Sequence, residues 1–166
     1  MEFSDMGNTQ PTVLYFFDHF YPAYKSGGPA RSSLALIENM REHLNVKVIT
    51  NANDFGESKP LEHIMPDHWN QQKGVSVYYS TGQGYWKRIW KVIRDSGASI
   101  YHLNSLFSPR FTILPILAVR FGLLPRRPII LAPRGECSPA ALQIKAFKKK
   151  LYLLLFHFLR KHIIFH

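Results

Sequence analysis

Apolar and polar positions along the chain alternate between short unbroken runs and longer periodic stretches. Val13 to Asp18 (VLYFFD) is a continuous run of β-formers, the pattern of a strand buried on both faces. Gly27-Gly28-Pro29 then opens a helix, with proline at the first helical position and glycine before it. Ala30, Leu34, Ile37, Met40 and Leu44 recur at spacings of three and four, so one face of that helix is expected to be buried. Val46–Thr50 (VKVIT), Val75–Tyr79 (VSVYY), Ser99–Leu103 (SIYHL) and Pro128–Ala132 (PIILA) predict four further strands, and Ile163–Phe165 begins a sixth.

Three periodic stretches lie between these runs. Tyr85–Arg94 predicts a helix with Trp86, Ile89, Trp90 and Ile93 inward and Lys87, Arg88, Lys91 and Arg94 outward. Phe111–Phe121 is apolar nearly all round and predicts a buried helix that Pro115 begins or kinks. Leu142–Lys161 predicts a long basic and aromatic helix. Asn51–Gly74 is polar, contains two prolines and reads as a long loop, and Met1–Thr12 reads as a loose leader. Strands alternating with helices predict an α/β domain over residues 13–166: a Rossmann-like open parallel sheet with helices on both faces. Such sheets bind ligands beyond the carboxyl ends of their strands. The candidate segments are therefore His19–Gly28, Asn51–Asp54, His102–Ser108 and Pro133–Ser138.

Composition narrows the picture. With 46% hydrophobic and 19% charged residues, the 166-residue chain has ample material for a core and is not a disordered type. A single cysteine, Cys137, excludes a disulfide framework and a multi-thiolate metal site. No basic leader precedes an apolar core, so no secretory signal is expected. The longest apolar run, Leu151–Leu159, is broken by His157 and too short to span a bilayer, which leads us to expect a cytoplasmic location.

Charge is unevenly spread. Residues 1–72 hold nine acids against five bases, and the remainder holds two acids against sixteen bases, for a net +10 overall. The excess points to an anionic partner for the second half (membrane lipid, phosphorylated substrate or nucleic acid) or to an acidic complement outside this chain. No nucleic-acid motif accompanies the charge, which leaves nucleic acid as the weakest of these.

A nicotinamide or flavin domain would carry G-x-G-x-x-G directly after the first strand and an acid closing the second. Here the first turn runs through HFYPAYKSGG and the second strand ends in Thr50-Asn51, so dinucleotide binding is disfavoured. Gly27 and Gly28 instead either cap a helix or bring the backbone close to an anion at the helix start, where Lys25 and Arg31 add charge. Arg134-Gly135-Glu136, just past the fifth strand, suits a phosphate or acidic sugar through the planar arginine fork. The alternative there is an Arg–Glu pair that orders a loop.

Together FYPAYKSGGPARSSLALIENM, IYHLNSLFSP, IILAPRGECSPAAL with KAFKKKLY, and the closing HIIFH resemble, in order, the amino-terminal domain of group 1 (family 4, retaining, GT-B fold) glycosyltransferases. The resemblance covers residues 13–166. It implies the acceptor-binding lobe of a two-lobed enzyme that uses a nucleotide-diphosphate sugar as co-substrate and no further cofactor or metal. It also implies a role in bacterial surface polysaccharide or lipopolysaccharide biosynthesis, on a sugar or lipid-linked acceptor. The family's donor-binding lobe, with its paired glutamates, is missing here, so the chain is expected to be inactive alone.

Carried over residue by residue, the resemblance gives Gly27, Gly28 and Lys25 to the phosphate-binding turn. It gives Asn104 and Ser105 to sugar contacts, Arg134 and Gly135 to the substrate, and Glu136 and His102 to the catalytic chemistry. Where the family often has a second histidine, this chain has Asn104, which weakens the case for a histidine acid or base. The Lys145–Lys161 segment suggests a peripheral contact with anionic membrane at the inner face of the plasma membrane. The competing reading is a helix whose apolar side covers the sheet. A non-catalytic module that binds phosphorylated sugars or anionic membrane is the alternative to the enzyme.

Overall fold

The strand-like runs pair edge to edge into one sheet. The computed structural model describes residues 10–82, 84–134 and 136, and the backbone of 163–165. In chain order its elements are β1 (Thr12–Phe16), α1 (Gly28–Met40), β2 (Asn45–Asn51), β3 (Trp69–Gln72), β4 (Val75–Ser80), α2 (Tyr85–Asp95), β5 (Ile100–Leu103), α3 (Leu114–Arg120), β6 (Ile129–Leu131) and β7 (Ile163–Phe165). The strands lie in the order β3-β4-β2-β1-β5-β6-β7. All neighbours are parallel except β3, which runs antiparallel to β4.

Side-chain alternation along each strand divides the core into two layers. Val13, Tyr15, Val46, Val48, Val75, Val77 and Tyr79 project to one face, where α1 covers them with Ile37 and the partly buried Leu34, Leu36 and Met40. Leu14, Phe16, Ile49, Tyr78, Tyr101 and Leu103 project to the other, beneath Ile89 and Ile93 of α2 and Ile116 and Val119 of α3. Both faces are therefore covered by helices, which is why the central strands read as unbroken apolar runs. Each such side chain contributes about 1.5–3 kcal/mol through burial. On α2, Lys87, Arg88, Lys91 and Arg94 face solvent as their spacing predicts.

Three details depart from the sequence reading. First, the sheet is mixed, because the stretch expected to be a loop contains β3. Lys73 (φ 53°) and Gly74 (φ 79°) both adopt left-handed backbone, the two-residue turn that matches the twist of a hairpin. Trp69 faces Tyr78 across the pair at 5.6 Å between ring centroids, and Gln71 Nε2 donates to Ser76 Oγ at 2.9 Å. Second, the leader joins the fold earlier than expected: Thr12 belongs to β1, and Asn45 N–H donates to the Pro11 carbonyl at 3.2 Å.

Third, α3 is entered through a π-helical turn over Pro109–Ile113, in which Ile113 N–H reaches the Ser108 carbonyl at 3.0 Å. Ser108 caps this turn by accepting from Phe111 N–H at 3.2 Å. Pro115 then falls in the first turn of α3, where a missing N–H costs little. The predicted helix at 142–161 and its membrane contact lie outside the described residues. Among the described residues no helix is long and apolar enough to cross a membrane.

Candidate functional site

Chain order reverses between β1 and β5, which are hydrogen-bonded neighbours whose onward connections run to opposite sides of the sheet. Loops leaving the two carboxyl ends must diverge there and leave a crevice. A cavity of about 640 Å³ occupies that place, within the range typical of small-molecule sites. Phe17, Asp18 and His19 reach it from β1, Asn104 and Ser105 from β5, and Arg134 and Glu136 from β6. Ser26, Pro29, Ser32 and Ser33 reach it from the start of α1, with Lys25 just before them and Phe55 from the loop after β2.

Hydrogen bonds between loops fix the shape of this rim. Arg134 donates from Nε to Asn104 Oδ1 and from Nη1 to Ser32 Oγ (2.6 Å), tying the β6 loop to β5 and α1. Burial pulls its guanidinium pKa down. Glu136 does not pair with Arg134. Its carboxylate accepts from Ser105 Oγ at 3.0 and 3.2 Å and from the Leu106 N–H. Asp18 Oδ1 accepts from Ser108 Oγ at 2.7 Å, which links β1 to the π-helical turn. In two of the lining residues a polar atom, His19 Nδ1 and Ser26 Oγ, is buried without a hydrogen-bond partner among the described residues. Such atoms are uncommon in native proteins.

The turn before α1 is held from below by Asp54, only 5% exposed. Its carboxylate accepts from Tyr24 N–H (3.0 Å), Lys25 N–H (3.1 Å) and Phe55 N–H (2.7 Å). Burial pushes this carboxyl up, but the N–H groups of Lys25, Phe55 and Tyr24, with nearby His19, outweigh it and hold the pKa below the ordinary value. Lys25 forms an exposed ion pair with Glu57, whose hydrogen bond raises the lysine pKa. Tyr79, at the end of β4, donates its hydroxyl to the Tyr21 carbonyl, and burial raises its pKa.

Gly27 and Gly28 differ in what they offer. Gly27 sits at φ 67°, ψ −125°, and its N–H is used within the turn on the Tyr24 carbonyl at 3.0 Å. The Gly28 N–H has no acceptor among the described residues, and open space surrounds both α-carbons. A Cβ at either would touch nothing within 4 Å, so Gly27→Ala is expected to cost about 1–3 kcal/mol from backbone strain alone. Gly28→Ala is expected to stay within about 0.5 kcal/mol. Thermal unfolding of the two variants checks this, with a loss of about 2–4 °C expected per kcal/mol.

Of the residues singled out from sequence, Lys25, Asn104, Ser105, Arg134 and Glu136 line one cavity. Gly27 and Gly28 stand beside its lining residues Ser26 and Pro29 without lining it themselves. His102 is set back: it is 9% exposed, lies in β5 with its ring 4.6 Å from that of Tyr15, and is not among the lining residues. Gly135 lies outside the described residues. Ser32, Ser33, Asp18 and Phe55 join the site without having been singled out. The helical spacing of Ser32 and Ser33 from Gly28 was the available signal, since residues one turn apart share a face.

A smaller polar cavity of about 280 Å³ lies alongside, lined by Asn51, Asn53, Asp54, Glu57, Thr81 and Arg110, and shares His19 with the first. Comparison with protein-family models, curated proteins and solved structures finds no match to this chain.

Proposed function

We propose that this chain is the acceptor-binding lobe of a nucleotide-sugar-dependent retaining glycosyltransferase, built on a Rossmann-like sheet and serving bacterial surface polysaccharide or lipopolysaccharide assembly. The observation that carries the proposal is the cavity at the strand-order reversal, where hydroxyl, amide, carboxylate and guanidinium groups from four separate segments converge. A sugar presents hydroxyls that both donate and accept, so it needs such a mixed set. Ser26, Ser32 and Ser105 donate or accept, Asn104 does both, Glu136 accepts and Arg134 donates. The order of the six parallel strands also fits, since it is that of doubly wound nucleotide-binding sheets.

In this reading Glu136 keeps lone-pair sites for an acceptor hydroxyl while its bonds to Ser105 and Leu106 hold it in place. The departing nucleotide diphosphate gains negative charge as the glycosidic bond breaks. The Gly28 N–H, with no acceptor among the described residues, is a fixed donor beside the cavity that interacts more strongly with that charge than with the ground state. His102 acts from behind, supporting the ends of β1 and β5 through Tyr15. A second lobe holds the donor, so the lone chain is expected to transfer nothing.

The test is sugar transfer from a panel of nucleotide-diphosphate sugars to phosphorylated and lipid-linked sugar acceptors. It compares the 166-residue chain with the same chain extended by a donor-binding lobe. Transfer by the extended form, falling about 100-fold or more in Glu136→Ala, is the expected result. No transfer by the extended form with any donor would favour a non-catalytic binding module.

A further inference from the structure

Two side-chain cations line the main cavity, and their surroundings differ. Lys25 is ion-paired with Glu57, whereas Arg134 has no carboxylate partner among the described residues. Its anchors, Asn104 Oδ1 and Ser32 Oγ, are neutral oxygens that orient a guanidinium without neutralising it. Three of its five N–H donors are left over. The Arg134 backbone stands at φ 48°, a conformation that a residue with a side chain adopts only when its surroundings enforce it. A charged fork held in a strained position between two loops and a helix is arranged for a planar or tetrahedral anion.

Other features of the same cavity specify the rest of the ligand. Ser32 lines the cavity from α1, so its bond to Arg134 Nη1 holds the guanidinium at the helix side of the cavity. Ser26 and His19 also line it, and their Oγ and Nδ1 atoms are buried without a hydrogen-bond partner among the described residues. A phosphate monoester offers three terminal oxygens to the unused N–H donors of the Arg134 fork, whereas a carboxylate offers two. Asp18 and Glu136 also line the cavity, but each is tied to loop donors, which leaves the Arg134 end as the favourable place for an anion. Phe55 lines it too, 64% exposed and edge-on to the His19 ring at 5.8 Å, and presents an apolar surface to a sugar ring.

From these features we infer that the cavity binds a phosphorylated sugar, with Arg134 as the residue that selects its phosphate. The inference deepens the acceptor-lobe reading and rests on it for the sugar. The phosphate rests on Arg134 and its neighbours alone.

Calorimetric titration of the 166-residue chain with glucose 1-phosphate, glucose and glucuronate tests it. Glucose 1-phosphate is expected to bind at least tenfold tighter than either of the others, and to weaken as salt is raised. Arg134→Gln is expected to weaken glucose 1-phosphate binding about 10–100-fold and glucose binding by less than about threefold. Arg134→Lys, which keeps the charge and loses the fork, is expected to fall between. If Arg134→Gln does not fold, Ser32→Ala and Asn104→Ala each remove one anchor and are expected to lower binding of the phosphorylated sugar more than that of glucose.

Citronellyl phosphoglucose separates the two sources of such a ligand. Binding equal to the monoester indicates a lipid-linked sugar, and binding of the monoester alone indicates a free one. Glucose or glucuronate binding as tightly as glucose 1-phosphate, or a foldable Arg134→Gln that binds normally, would overturn the inference. Since binding is read without transfer, an inactive extended enzyme that keeps Arg134-dependent phosphosugar binding would count against the transferase alone.

Discussion

Phe16→Ala is expected to lower the unfolding free energy by about 3–5 kcal/mol, read from urea or guanidinium unfolding. Phe16 has no exposed surface and packs within the layer of Leu14, Ile49, Tyr101 and Leu103, edge-on to the Tyr101 ring at 6.2 Å. Truncation leaves a cavity in the middle of a parallel sheet, where neighbours on both sides are fixed by backbone hydrogen bonds and cannot collapse inward. Domains of this size are stable by about 5–15 kcal/mol, so the loss is a large fraction of the total. Phe16 also ends β1 immediately before the cavity residues Phe17, Asp18 and His19, and ligand binding should fall along with stability. A change below about 1 kcal/mol would mean that β1 is not the central strand.

Asp54→Asn is expected to cost about 2–3 kcal/mol at neutral pH, because hydrogen bonds to a buried charged group are the stronger kind. Three backbone N–H groups in the turn before α1 and its neighbouring loop point at one carboxylate, and an amide oxygen satisfies them less well. The pH dependence has a definite sign. Burial raises the Asp54 pKa, but the Lys25, Phe55 and Tyr24 N–H groups and His19 lower it further, so the folded value lies below the ordinary one. The stabilisation is therefore complete above the unfolded value of about 3.9 and is lost as pH falls through the folded value. The gap between wild type and Asp54→Asn should be constant from about pH 6 to 8 and shrink below about pH 4. A gap that widens on acidification would contradict this role.

How much of this could be read in advance depended on whether the information was local. Strands β1, β2, β4, β5 and β6 stood out because a strand covered on both faces is apolar throughout, and VLYFFD or VSVYY has few other uses. Strand β3 escaped notice because Trp-Asn-Gln-Gln is an edge with polar side chains, recognisable only through the turn at Lys73-Gly74 and through Tyr78 across the hairpin. The π-helical turn had a visible marker in Ser108-Pro109, a capping residue followed by proline, two residues ahead of the predicted helix start.

At the candidate site, position after a strand gathers Asn104, Ser105, Arg134 and Glu136 around one cavity. Partnerships were not readable. Arg134 and Glu136 stand two residues apart yet bond to α1 and the β5 loop respectively, which only the folded arrangement decides. The same holds for Asp54, whose three N–H donors include two that lie about 30 residues away in sequence. From sequence the glycine pair stands open between a helix cap and a bare backbone facing an anion; in the fold the turn uses the Gly27 N–H and leaves that of Gly28 without an acceptor among the described residues.

In the proposed function a sugar ligand occupies the crevice at the carboxyl edge between β1 and β5. Amide chemical-shift mapping during titration with glucose 1-phosphate tests it most directly. Shifts should concentrate on residues 17–19, 26–28, 30–33, 104–106, 134 and 136 and spare the Gly97–Ser99 and Arg126–Arg127 segments at the opposite edge of the sheet. Shifts centred on that opposite edge, or none at saturating ligand, would contradict it.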